Sequence, residues 1–240
     1  MQKLSIPLLV LVAGTINAAE TNSAPTNVVA ISAGRLIDVV QGRALENQLI
    51  LIEDGVIKSV GPRASAAIPA NATRFDLTNA TVLPGLMDCH THITSQPENY
   101  YDDLFRKSPI DYAIVAHVYA RRTLEAGFTT CRDVGADELI DAALKRAIDS
   151  GKIPGPRLFI STEALSATGG HGDLNGFSPY LSFKEIGIAT VDGVDEIRKK
   201  VRWNIKYGAD WIKILATAGV LSEEESVGAP QFSFEEKVGS

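Results

Sequence analysis

Asp88-Cys89-His90-Thr91-His92 places two imidazoles at alternate positions directly after Leu83-Pro84-Gly85-Leu86-Met87. On an extended strand, residues i and i+2 point to the same side, about 6–7 Å apart along the backbone. His90 and His92 can therefore aim at one point. Neutral imidazole is the commonest metal ligand among side chains, so such a pair is half a site for zinc or a similar divalent ion. The spacing suits equally two histidines at a strand end, each hydrogen-bonded to a neighbour, and spacing alone leaves both readings open.

A second candidate is Lys213, set among apolar residues in Asp210-Trp211-Ile212-Lys213-Ile214-Leu215-Ala216. Burial without a partner is costly for an ammonium and favours the neutral amine. A neutral amine can add carbon dioxide to become a carbamate, an anionic oxygen ligand. The other reading is a lysine whose stem packs inside while its head pairs with a carboxylate or reaches solvent. A third candidate is His171 in Thr168-Gly169-Gly170-His171-Gly172-Asp173. Glycines allow close backbone approach to a ligand, so His171 can hold a substrate carboxylate or carbonyl oxygen, or else be a turn residue facing water. His117 lies within a helical pattern and Glu223-Glu224-Glu225 reads as a solvated loop; neither is assigned a role.

The elements that carry these residues fall into two parts. Over residues 28–80 short apolar runs alternate with turns: Val28 to Ile31, Gln48 to Ile52, and Val56 to Val60 after Glu53-Asp54-Gly55. Asp-Gly between two strands is a hairpin signal, and the part reads as a small all-β unit. From residue 81 onward the period changes. Strands are expected at Thr81 to Leu83, up to His92, at Phe128 to Val134, around Leu158-Phe159-Ile160 and at Asp210 to Ala216. Helices are expected at 111–126, on the apolar residues Ala113, Ile114, Val118 and Leu124, and at 138–150 and 194–207. The helices are closed by Gly127, Gly151 and Gly208. Alternation of this kind argues for parallel strands joined by helical crossovers. Ser233-Phe234-Glu235-Glu236 reads as a capping box that starts one more helix.

Composition narrows the classes of function. The net charge is −6 with no basic stripe, which argues against a nucleic-acid partner. Lys3, the apolar run Ile6 to Ala13 and the small residues Asn17-Ala18-Ala19 give residues 1–19 the form of a secretory signal peptide, the rival reading being a membrane anchor. The run is much shorter than the roughly 20 residues that span a bilayer, so an exported, periplasmic or secreted protein with no membrane span is expected, with a loose start to the mature chain near Thr21. Cys89 and Cys131 have no Cys-x-x-Cys partner and read as two small buried residues. Asn71-Ala72-Thr73 and Asn79-Ala80-Thr81 match the glycosylation acceptor pattern, which matters only in a eukaryotic secretory pathway.

The run from Pro84 to His92 resembles the first barrel strand of the amidohydrolase superfamily. Tyr207-Gly208-Ala209-Asp210-Trp211-Ile212-Lys213-Ile214 is similar to its fourth strand, and Thr129-Thr130-Cys131-Arg132-Asp133-Val134-Gly135 to its second. The loop around His171 resembles the imidazolonepropionase-like branch, which includes Xaa-Pro and Xaa-Arg/Lys dipeptidases. This resemblance implies an α/β fold, a (β/α)₈ barrel of which four strands fall in residues 81–240, preceded by a small β-sandwich unit at 28–80. It implies a pair of divalent metal ions, zinc by default, held by His90, His92 and Lys213 as N6-carboxylysine, with His171 binding substrate. It also implies C–N bond hydrolysis of a small-molecule or dipeptide substrate, by a protein that can form homo-oligomers. A cyclic-amide hydrolase or deaminase of the same superfamily is the alternative within enzymes; a non-catalytic barrel fragment is the alternative outside them. Two later histidines and a proton-shuttling aspartate would lie beyond Ser240, because all four histidines precede the fourth strand. Residues 1–240 alone are therefore expected to be inactive or poorly soluble.

Overall fold

A computed structural model describes residues 27–181, 190–219 and 228–239. The expected signal peptide, the loop at Glu223-Glu224-Glu225 and the chain end at Ser240 lie outside the described residues. The chain divides into two compact units at Pro84/Gly85.

The first unit is a four-stranded sheet in the order β3-β2-β1-β4. Its strands are β1 (Val28–Asp38), β2 (Arg43–Glu53), β3 (Val56–Pro62) and β4 (Thr73–Val82). The Asp54-Gly55 hairpin forms as expected. Both residues have positive φ, 49° and 78°, which lets a two-residue turn follow the twist of β2 and β3. β1 pairs antiparallel with β2 and parallel with β4. Its inward residues Val28, Ala30 and Ala33 are buried with Leu49 and Ile50 of β2. Two expectations change here. Thr81 and Val82 end β4 rather than open the barrel, because Arg35 and Leu36 of β1 take them as ladder partners. The described residues of this unit form one sheet, where a two-layer sandwich was expected.

The second unit starts as parallel β/α structure. β5 (Leu86–Thr91), β6 (Phe128–Asp133) and β7 (Arg157–Ile160) form a sheet in that order, each adjacent pair parallel. The short helix α1 (Tyr100–Arg106) and the longer α2 (Pro109–Glu125) connect β5 to β6. α2 begins two residues earlier than expected, with Pro109 in its first turn and a Ser108–Asp111 capping box. α3 (Ile140–Asp149) connects β6 to β7, and α4 (Gly193–Lys206) precedes the fourth strand position. The face of α2 that packs is not the one the large apolar residues mark: Ile114 is 68% exposed, whereas Ala116 and Ala120 are buried. Small side chains let the helix lie close to the sheet, where Ala116 and Ala120 join Cys131, Leu158 and Ile160 in one core. α5 (Phe234–Gly239) has the expected cap, with Ser233 N–H donating to Glu236 Oε2 at 2.7 Å and Glu236 N–H to Ser233 Oγ at 3.3 Å.

Residues 210–216 were expected as a full strand and form instead an extended segment bonded at intervals. Asp210 N–H donates to the Ile160 carbonyl, Leu165 N–H to that of Lys213 and Leu215 N–H to that of Leu165. One parallel bridge, Leu165 with Ile214, falls in this segment. The ladder lapses because Thr162, at φ 58°, takes the neighbouring chain out of extended conformation between Ile160 and Leu165. A β-branched residue is strained there, and Thr162 is held in place by its N–H bond to Asp141 Oδ2 (2.9 Å) and by Ala136 N–H on its carbonyl. The segment nonetheless runs parallel to the sheet strands, in the fourth position.

Candidate active site

β5 carries His90, and His92 follows one residue past its end. The two rings lie 5.9 Å apart, edge to face. Regular pairing with β6 breaks between Asp88 and Thr91. A break of this kind re-aims side chains at the end of a strand, and here side chains take over the lost backbone bonds. Asp88 Oδ1 accepts from His90 N–H at 2.9 Å, and Arg132 Nε donates to the Cys89 carbonyl at 2.7 Å. Past the break, Asp133 Oδ1 accepts from Ile93 N–H at 2.8 Å and from Thr91 Oγ1 at 3.2 Å.

The partner of His92 settles its tautomer. Its Nδ1 lies 3.0 Å from the Gly135 carbonyl, an acceptor only, so Nδ1 carries the proton and Nε2 keeps its lone pair. That is the state of a metal-ligating imidazole oriented by a backbone carbonyl. Loss of hydration holds the His92 pKa below the usual histidine value, against the Gly135 bond, and the nearby His90, Lys213 and His171 push the same way.

Lys213 is half-buried in the fourth-position segment. Among the described residues no carboxylate pairs its amine. Desolvation lowers its pKa, and the Arg132 charge adds to the effect. His171 sits in the glycine-rich loop, its N–H bonded to Gln231 Oε1 at 3.0 Å. Its ring lies against the backbone of Gly219, where a Cβ would fall 2.2 Å from Cε1 and would have to displace the ring. His171 Nδ1 is buried with no hydrogen-bond partner among the described residues. His90, Lys213 and His171 thus come together around His92, while His117 stays on the exposed face of α2.

Residues 129–135 carry more of the site than their sequence suggested. Arg132 and the Gly135 carbonyl act directly on the histidine-bearing segment, and Asp133 is fully buried behind it. Burial pushes Asp133 up to about 7 despite the Ile93 bond, with Asp141 adding to the rise. The available signal was an Arg-Asp pair inside an otherwise uncharged strand. The two cysteines also part company: Cys131 is buried, its thiol pushed up to about 11 by desolvation, whereas Cys89 is exposed on β5.

Among the described residues no three His, Cys, Asp or Glu side chains converge as a metal site. The donors gathered here are two imidazoles and an amine, and the amine becomes an anionic ligand only on carboxylation. With that change the set fits a divalent cation.

Residues 81–237 match the amidohydrolase family, and the chain belongs to that family. Ochratoxinase of Aspergillus niger is 33% identical over 237 residues, covering 91% of this chain and 48% of that protein. Imidazolonepropionase of Cereibacter sphaeroides is 37% identical over 97 residues, 40% of this chain and 24% of that one. Among solved structures, a Xaa-Pro dipeptidase with methionine in its active site superposes with a TM-score of 0.74 at 35% identity, covering 89% of this chain and 53% of that one. The chain spans about half the length of the curated ochratoxinase and of this dipeptidase.

Proposed function

We propose that the full-length protein is an exported, metal-dependent hydrolase of C–N bonds in small amides, with dipeptides as the leading substrate class. The observation that carries the reading is His92: a neutral ring, pinned through Nδ1, presenting Nε2 beside His90 and Lys213. Family membership and the likeness to a Xaa-Pro dipeptidase and to ochratoxinase support amide hydrolysis. Export rests on the sequence of residues 1–19.

His90, His92 and carboxylated Lys213 would hold the divalent ions, zinc by default. Such ions polarise a carbonyl and lower the pKa of water. The Gly135 carbonyl would fix the direction of the His92 imidazole while Asp88 holds the backbone N–H of His90, and His171 would offer a hydrogen bond for the carbonyl or carboxylate of the substrate. Hydrolysis of a cyclic amide is the second reading, favoured by the imidazolonepropionase likeness.

The test is purification of the full-length protein, metal analysis, and assay against Xaa-Pro dipeptides, N-acyl amino acids and cyclic amides. We expect bound divalent metal and dipeptide or acyl-amide turnover. His92→Ala should lower metal content at least tenfold and turnover by roughly a thousandfold. A folded wild-type protein that holds no metal and cleaves none of these would overturn the reading.

A further inference from the structure

We propose that Arg132 is a positioning residue that ties the His90-bearing break in β5 to the segment carrying Lys213. This inference rests on the metal-site reading above, and three observations carry it.

The first is the break itself. Between Asp88 and Thr91 the β5–β6 ladder lapses, so the Cys89 carbonyl, one residue before His90, has lost its regular place in the sheet. Arg132 Nε takes it at 2.7 Å. The second is the far side of the same group. The Arg132 guanidinium lies 4.9 Å from the ring centroid of Trp211, two residues before Lys213. A guanidinium stacks on an indole while its N–H edge stays free to donate, which an ammonium cannot reproduce. The third is the anchoring of Trp211: its Nε1 donates to the Phe159 carbonyl at 3.4 Å, on β7.

One side chain on β6 therefore grips β5 and the fourth-position segment together, and the indole it stacks on reaches β7. Among the described residues no carboxylate competes for the guanidinium. Because the fourth-position segment has only intermittent backbone bonding, its register toward β5 depends on side chains, and Arg132 bridges the chain next to His90 and the chain next to Lys213.

The experiment uses the full-length protein and the variants Arg132→Met, Arg132→Lys and Trp211→Leu. Arg121→Met, on the exposed face of α2, serves as the control. Metal is removed with a chelator, and zinc affinity and the visible spectrum of the cobalt(II) form are then measured. Arg132→Met and Trp211→Leu should each weaken zinc binding about 10- to 100-fold and shift the cobalt bands, and the double variant should cost little more than either single one. Arg132→Lys should fall short of rescue, since charge without the planar stack is insufficient. In the metal-free protein, hydrogen exchange should rise together at 89–92 and 211–215 in Arg132→Met while α2 keeps its protection. Wild-type zinc affinity and cobalt spectrum in Arg132→Met would overturn the proposal. If the wild-type protein binds no metal, the metal-site reading fails, and exchange alone judges the tie: unchanged protection at both segments overturns it.

Discussion

Each unit of the chain contains a strand whose regular pairing is interrupted, and the two interruptions are handled in opposite ways. In the first sheet the β1–β4 register shifts between Ala33 and Arg35, and the chain accommodates it by omission: Gly34 sits where a Cβ would fall 2.0 Å from the Thr78 carbonyl oxygen. In the second sheet the β5–β6 register breaks between Asp88 and Thr91, and the chain accommodates it by addition. Asp88, Arg132 and Asp133 supply hydrogen bonds that the backbone no longer makes. A break solved by glycine serves packing. A break solved by charged side chains fixes direction, and it lies where the two imidazoles must converge.

The contrast yields three predictions for the full-length protein. The largest effect should come from Gly34→Val, which forces β1 and β4 apart where a Cβ would fall 2.0 Å from the Thr78 carbonyl oxygen. We expect a loss of about 4 kcal/mol in denaturant unfolding, with the metal affinity of the remaining folded protein unchanged. Weaker metal binding in that variant would erase the division between packing and chemistry.

Asp133→Asn comes next, read as a dependence on pH. The folded-state pKa of Asp133, about 7, lies above the value of 3.8 for an unburied aspartate. Between those values the folded chain holds a proton that the unfolded chain has released. The contribution of Asp133 is therefore most favourable below pH 4, declines as pH rises to 7 and stays low above. The asparagine variant should remove a slope of up to about 1.4 kcal/mol per pH unit in that window. Identical slopes in the metal-free wild type and variant would count against a buried, proton-bearing Asp133. Asp141, pushed up to about 6 by burial, adds a similar slope that the variant retains.

The smallest effect is expected at Lys145, which pairs with both oxygens of Asp210 at 2.7 and 2.5 Å while Asp210 Oδ2 also accepts from Ile160 N–H. The pair is partly exposed, so Lys145→Met should cost only about 1 kcal/mol. A loss of several kcal/mol would mean that the fourth-position segment leans on this ion pair as heavily as on its backbone bonds.

Much of this was legible in the sequence. Asp54-Gly55 announced its hairpin, the helix-closing glycines 127, 151 and 208 all adopt positive φ, and the β/α alternation after residue 85 has the expected order. His90, His92, Lys213 and His171 were each visible as candidates, and they do gather in space. What could not be read depends on contacts between distant residues. The packed face of α2 is set by how closely alanines let it approach the sheet, and large apolar residues mislead there. The irregular fourth strand follows from one left-handed threonine fifty residues away. Arg132 and Asp133 passed without a role because their partners, the Cys89 carbonyl and Trp211 ring for one and the Ile93 N–H and Thr91 hydroxyl for the other, lie far away in the sequence beside a break that no local pattern announces.

The setting of His171 has a consequence for anything that visits this end of the barrel. With Nδ1 sealed from water and without a hydrogen-bond partner among the described residues, any ligand that this ring holds in the proposed site would have to be met through Nε2. It is a one-handed group: the guest, by offering a lone pair or a proton, selects which tautomer the ring adopts. A carboxylate, which only accepts, would thus call for the ring with its proton on Nε2, and a group that only donates, such as an ammonium, would call for the other tautomer of the same side chain.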